Sequence, residues 1–243
     1  MLPPKTVVIS GGSKGLGATM ASAFLNKGYR VATFSRHSNE FITQKQLSDA
    51  NFFYWESVDV NDLSKIKSFV NNVKSKFGHI DILINNIAKL TEGLLIFSSD
   101  NEIISLLNTN ILAPIILTRE CSKSMLKRNT GVILNVSSIN AIKGHKGVSL
   151  YSATKAALDG MTRSLAREFG PANIRINSLV PGFFDSEMVS YLSENRRKQI
   201  LKRTPIGRLS KIEEISKVAL FICSDEAAFI TGQNIVVDGG ISC

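Results

Sequence analysis

The stretch Thr6-Val7-Val8-Ile9-Ser10-Gly11-Gly12-Ser13-Lys14-Gly15-Leu16-Gly17 decides the fold. It opens with a β-branched run, passes at once into a glycine-rich turn, and continues into a helix-like stretch near 15–27. A strand that enters a glycine loop and leaves as a helix suits a dinucleotide. The glycines allow the tight turn, and backbone N–H groups can then approach a pyrophosphate at the positive end of the helix. The spacing Gly11-x3-Gly15-x-Gly17 departs from GxGxxG but serves the same physics. Gly11, Ser13, Lys14, Gly15, Leu16 and Gly17 are therefore the candidate phosphate contacts. Such a turn can also merely join strand to helix; its place after the first strand favours the nucleotide.

Working outward, further strand-like runs are Arg30–Ser35, Phe52–Ser57, Ile80–Asn85, Gly131–Val136, Ile174–Leu179 and Asn234–Val237. Helix-like stretches lie near 62–77, 101–128, 151–169 and 211–223. Runs such as Val132-Ile133-Leu134 are continuously apolar, as strands covered on both faces require. The alternation predicts an α/β fold: one Rossmann-like, doubly wound parallel sheet of about seven strands with helices on both faces. With no repeat or linker in view, residues 1–243 read as a single domain.

The 243 residues are 44% hydrophobic and 20% charged, a globular composition with ample material for a core. Twenty-nine Lys and Arg against 20 Asp and Glu leave a net charge of +9, which attracts polyanions without specifying one. Cys121, Cys223 and Cys243 are widely spaced and form no CxxC, which argues against a disulfide framework or a metal site and for a reducing cytoplasm. No apolar run approaches the roughly 18 residues of a membrane span. Strand one begins too early to leave room for a signal peptide. His37 and His79 read as surface residues, Trp55 as core, and no aromatics interleave with the basic clusters as in RNA-binding modules.

In a Rossmann site for NAD, an acidic residue closes the second strand and binds the ribose 2′-OH. Here that strand ends Thr33-Phe34-Ser35-Arg36-His37, with no carboxylate. Arg36 can take a 2′-phosphate in bidentate fashion, with Lys14 approaching from the glycine loop. Either cation alone is an ordinary solvated side chain; the pair favours NADPH.

Tyr151-Ser152-Ala153-Thr154-Lys155 opens a predicted helix, where positions i and i+4 share a face. An ammonium beside a phenol favours phenolate, so Lys155 is expected to lower the Tyr151 pKa toward a value useful for proton transfer. A bare YxxxK pattern commonly lies on a solvated face. Ser138, thirteen residues upstream at the carboxyl end of the predicted fifth strand, makes it specific, because ligands of open α/β sheets bind beyond those ends.

Taken together, the glycine loop, Asp59-Val60, Asn85-Asn86, Asn110, Ser138, Tyr151-x3-Lys155, Pro181-Gly182 and Asp238-Gly239-Gly240 make the sequence resemble the short-chain dehydrogenase/reductase family over almost its whole length. Within it, Ser224-Asp225-Glu226-Ala227-Ala228-Phe229-Ile230-Thr231-Gly232 is similar to the bacterial 3-oxoacyl-[acyl-carrier-protein] reductases. The resemblance implies a catalytic set of Asn110, Ser138, Tyr151 and Lys155. Tyr151 would protonate the substrate carbonyl oxygen and Lys155 would hold the nicotinamide ribose. Ser138 would hydrogen-bond the carbonyl, and Asn110 would fix a water that relays protons to Lys155. It further implies adenine contacts from Asp59 and Val60, a ribose contact from Asn86, and cofactor contacts from Pro181, Gly182, the Phe184 main chain and Ser186. The implied partners are an acyl carrier protein or CoA thioester and a homotetramer.

Departures from the family pattern also stand out. Asn-Asn-Ala-Gly reads Asn85-Asn86-Ile87-Ala88, which adds bulk beside the cofactor and a penalty if residue 88 needs positive φ. Basic residues that would meet an acidic carrier are matched by Lys127 and Arg128, but the second such place is the uncharged Pro171-Ala172. Extra charge sits instead at Lys143, His145 and Lys146 and at Arg196-Arg197-Lys198 and Lys202-Arg203. That charge forms either a cationic rim steering an anionic substrate or a basic face kept for solubility. The small-residue face Ala153, Ala156, Ala157, Gly160, Met161 suits either a subunit contact or its own sheet. An NADPH ketoreductase for a specialised-metabolite, polyketide or sugar carbonyl is the alternative activity. A non-catalytic nucleotide sensor or nucleic-acid binder fits the charge but has no use for a proton donor.

Overall fold

The computed structural model describes residues 3–185 and 194–243. Seven parallel strands form one sheet: β1 (Thr6–Ser10), β2 (Arg30–Ser35), β3 (Phe53–Ser57), β4 (Ile82–Asn85), β5 (Gly131–Val136), β6 (Ile174–Pro181) and β7 (Asn234–Val237). Their spatial order is β3-β2-β1-β4-β5-β6-β7. The chain winds outward from β1 to β3, then returns to place β4 on the other side of β1. The crevice at this reversal, beyond the carboxyl ends of β1 and β4, is where such sheets take ligands. Val7, Val8 and Ile9 on β1 and Leu83 and Ile84 on β4 are wholly buried, because helices cover both faces.

On one face, α1 (Gly15–Asn26) and α8 (Ile212–Cys223) pack Met20, Phe24, Ile215 and Ile222 against the sheet. On the other, α3 (Leu63–Phe77) and α5 (Ala113–Arg128) contribute Phe69, Val73, Leu117 and Met125. Two helices lie outside the predicted stretches: α2 (Glu40–Ser48) and α7 (Glu194–Arg203). Ile42 and Ile200 are the residues they bury among those described, too little apolar surface for a periodic signal. The Asn39 side chain accepts from the Ile42 N–H and starts α2 locally. At the sheet edge, Trp55 is only half-buried, its indole N–H donating to the Ser35 hydroxyl at 2.9 Å.

The predicted helix near 101–128 is interrupted. It comprises α4 (Asp100–Leu107), a π-helical turn at Asn108–Leu112, and then α5. Pro114 has no N–H to return to the carbonyl of Asn110, so the regular bonding pattern cannot run through. Length and composition would let the Asp100–Arg128 stretch cross a membrane, but Ile116, Leu117, Cys121 and Met125 bury it against the sheet.

A buried polar row braces the strand ends beside the crevice. Asn85, Asn135 and Ser178 are neighbours in register across β4, β5 and β6. The Asn85 amide donates to Asn135 at 2.8 Å and to Thr118 of α5 at 3.0 Å. Asn135 donates to Thr162 at 2.8 Å, whose hydroxyl also meets Ser178 at 2.8 Å. Thr162 belongs to α6 (Ser149–Phe169), so the row anchors both α5 and α6 to the sheet. In so dry a setting these bonds are strong, and an unmade one is costly.

Candidate active site

A cleft of about 640 Å³ opens at the sheet reversal. At one end, Gly11, Ser13, Lys14, Gly15, Leu16 and Gly17 line it from the first turn. Gly11 and Gly15 sit at φ of +70° and +55°, conformations that side chains disfavour. A Cβ on Gly17 would collide with the Gly11 carbonyl oxygen, so that glycine is demanded by close approach. The Asn86 amide donates to the Ser10 and Gly11 carbonyls at 3.0 and 3.2 Å. Its backbone N–H and that of Ile87 donate to the Ser10 hydroxyl. Asn86 thus braces the turn as well as lining the cleft. Arg36, Asp59 and Val60 complete this end.

The bulk at Ile87 is accommodated by contact: its Cα would be 3.4 Å from a Cβ on Gly11, so the glycine makes room. Asn129 and Asn173 are the non-glycine residues with positive φ among those described, so Ala88 carries no backbone penalty and that expectation is corrected.

At the other end, Ser138 follows β5 and α6 presents Tyr151 and Lys155 into the same cleft. The Lys155 side chain is fully enclosed; its ammonium donates to the Val136 carbonyl at 2.6 Å and lies 5.7 Å from the centre of the Tyr151 ring. Burial lowers the lysine to about 8, while the Asp159 charge pulls it back up. Burial also raises the Tyr151 phenol to about 12, only partly offset by the Ser138 hydroxyl. This reverses the expected direction: desolvation of the phenol outweighs any help from the ammonium. At neutral pH Tyr151 holds its proton.

Asn110 stands behind this group, not in the cleft lining. The π-helical turn points its side chain inward, where Oδ1 accepts from the Lys89 N–H at 2.7 Å. Its amide donates to the Lys89 carbonyl at 2.9 Å and the Thr154 hydroxyl at 3.1 Å. Asn110 therefore clamps the segment after β4 to α6. Sequence spacing could not show the Lys89 link, which needs two backbone groups of a loop brought to one side chain.

Pro181 at the end of β6 and Gly182 and Phe184 after it line the cleft; a Cβ on Gly182 would come 2.7 Å from the Asp238 Cα. Ser186 lies outside the described residues. The proposed rim divides. Arg196 lines the cleft. Arg197 pairs with Asp185 at 2.9 Å, Lys143 donates to the Ile241 carbonyl at 3.2 Å, and the His145 ring meets Phe183 edge-on. Lys127 and Arg128 end α5 at the opposite, amino-terminal edge of the sheet, where Arg128 pairs with Asp81 at 2.5 Å. Within this chain they are not brought to the cleft.

Residues 11–242 match a family model described as enoyl-(acyl carrier protein) reductase. The chain is also similar to the solved structure of a double mutant of a Serratia marcescens short-chain dehydrogenase/reductase. The TM-score is 0.91 at 28% identity, over 100% of this chain and 99% of that one. The chain is an oxidoreductase of the short-chain dehydrogenase/reductase family. Among family relatives, the 3-oxoacyl-[acyl-carrier-protein] reductase FabG of Chlamydia trachomatis is 33% identical over 248 residues, covering 100% of this chain and 99% of that protein. The FabG of Thermotoga maritima is 33% identical over 242 residues, covering 99% and 98%.

Proposed function

We propose that this single-domain enzyme reduces a 3-oxoacyl thioester, on acyl carrier protein or CoA, to the 3-hydroxyacyl form with NADPH. The observation that carries the reading is that Ser138, Tyr151 and Lys155 share one cleft with the glycine turn. The residues fit a dinucleotide: positive φ at Gly11 and Gly15 makes the tight turn that opens α1 toward the cleft, and Lys14 and Arg36 line the same end. The lack of an acidic residue after β2 supports NADPH.

Bound NADPH supplies a hydride from nicotinamide C4 to the carbonyl carbon. Ser138 hydrogen-bonds the carbonyl oxygen and orients it toward Tyr151, whose phenol donates the proton. The phenol is protonated at neutral pH and so carries the proton it gives up, and the burial that raises it must be offset by charge when the phenolate forms. The charged Lys155 anchors the nicotinamide ribose hydroxyls and favours the phenolate left behind. Asn110 fixes a water that relays protons to Lys155, its side chain held in place by the Lys89 backbone. Asp59 and Val60 hold adenine, Asn86 the adjacent ribose, and Pro181, Gly182, Phe184 and Ser186 the carboxamide end. No specific observation favours the specialised-metabolite alternative.

An acidic carrier would meet the Arg196 side of the cleft. Ala153, Ala156 and Ala157 are solvent-exposed, as are Ile104 and Leu107 of α4. They support assembly into a homotetramer through these helices.

The test is NADPH consumption at 340 nm with acetoacetyl carrier protein, acetoacetyl-CoA, crotonyl-CoA and a neutral ketone. Turnover of the 3-oxo thioesters, with the carrier form preferred, is expected. Turnover of crotonyl-CoA alone would replace the reading with enoyl reduction, and of the neutral ketone alone with the specialised alternative.

A further inference from the structure

Asp159 is a buried carboxylate with no part in the proton and hydride transfers above. It lies one turn beyond Lys155 on the face of α6 that turns into the protein with Leu158 and Thr162. Lys155 is 1% exposed and Asp159 4%. One Asp159 carboxylate oxygen is sealed from solvent with no hydrogen-bond partner. Such an atom is costly unless a positive charge lies near. Helical spacing brings that charge close, since side chains at i and i+4 are neighbours. The two groups act through space: the ammonium donates to the Val136 carbonyl, leaving its other donors for the cleft.

Among the described residues, the Lys89 ammonium in the same cleft donates to the Ser105 hydroxyl at 3.0 Å. β5, the turn at Ile139–Ala141 and the π-helical turn at Asn108–Leu112 carry no ionisable side chain, nor does the turn at Gly170–Ala172. On β6, Arg175 is committed to the Ile222, Ser224 and Ile230 carbonyls. On α4, Asp100 and Glu102 are exposed in the first turn, with Glu102 in the Ser99 capping box. On α6 itself, Tyr151 lies beside the lysine, and Arg163, one turn beyond Asp159, is exposed where Lys155 is buried.

We propose that Asp159 is a positioning residue for the reduction: its carboxylate, set one turn behind Lys155, keeps that ammonium charged at the floor of the cleft. The proposal rests on the reading of Lys155 as the ribose anchor. Asp159 touches neither substrate nor cofactor and acts only through Lys155. Burial disfavours the charged lysine, and the carboxylate opposes this.

The experiment is a pH titration of lysine carbons by NMR in protein labelled at lysine Cε, with the Lys155 signal assigned from Lys155→Ala. Asp159→Asn removes the charge and keeps the shape. Asp159→Leu removes both charge and unpaired oxygen, should the asparagine variant fold poorly. In either, Lys155 is expected to titrate about one pH unit lower than in the parent, and Asp159→Glu to restore most of the difference. The alkaline fall of kcat/KM should move down in pH by the same amount, with activity near pH 6 kept within about threefold. An unmoved lysine titration overturns the proposal, as does an equal loss of activity at every pH. The NMR arm reads without turnover, so a failure of the thioester assay would not be mistaken for a failure of Asp159.

Discussion

The two ends of the cleft are built differently. At the glycine turn, every contact candidate from Gly11 to Gly17 lines the cavity, and Asn86 ties the turn to β4. At the rim, the cations scatter. Arg196 lines the cleft, Arg197 is tied to Asp185, Lys143 to the Ile241 carbonyl, and Arg128 to Asp81 at the amino-terminal ends of the strands. Backbone geometry dictates the first end within a dozen residues. Long, solvated side chains form the second, and their neighbours come from distant parts of the chain.

The largest effect is expected at the phenol between the two ends. Tyr151→Phe is expected to lower kcat about a thousandfold while NADPH affinity changes less than about threefold, checked by steady-state assay and fluorescence titration. Equal losses in both would make Tyr151 a binding residue. At the glycine end, Gly17→Ala forces a Cβ against the Gly11 carbonyl. Nucleotide Kd should rise at least about thirtyfold, because the turn must open.

Arg36→Ala sharpens the contrast within that end. KM for NADPH should rise about tenfold while KM for NADH stays within about twofold, the loss of one charge-assisted phosphate contact. The smallest effects belong to the rim. Arg196→Ala should raise KM for an acyl carrier substrate about threefold and leave a neutral ketone unaffected, an effect that shrinks with added salt. Arg128→Ala should leave both KM values alone but lower the unfolding midpoint, because Asp81 is 9% exposed and loses a partner. A carrier-specific rise in KM from Arg128→Ala would instead bring that edge of the sheet into substrate recognition.

Much of the fold was legible because short apolar runs and the spacing between them are local signals. β1, β2 and β5 fall where their apolar runs place them. α2 and α7 escaped notice because each buries too little apolar surface to mark a period. At the site, Ser138, Tyr151 and Lys155 were legible as a strand end and one helical turn. The π-helical turn that aims Asn110 was not, since it depends on Pro114 and on a loop docking against α6.

The amino-acid sequence by itself determined the parallel winding, the glycine turn and the shared helical face of Tyr151 and Lys155, because each follows from residue spacing along one element. Only the tertiary structure decided the protonation tendencies and the fates of the surface cations. Burial raises the phenol and lowers the lysine against the pattern a tyrosine beside a lysine suggests. Desolvation depends on what the whole fold packs around a group, and a buried carboxylate such as Asp159 gains its meaning only from that enclosure.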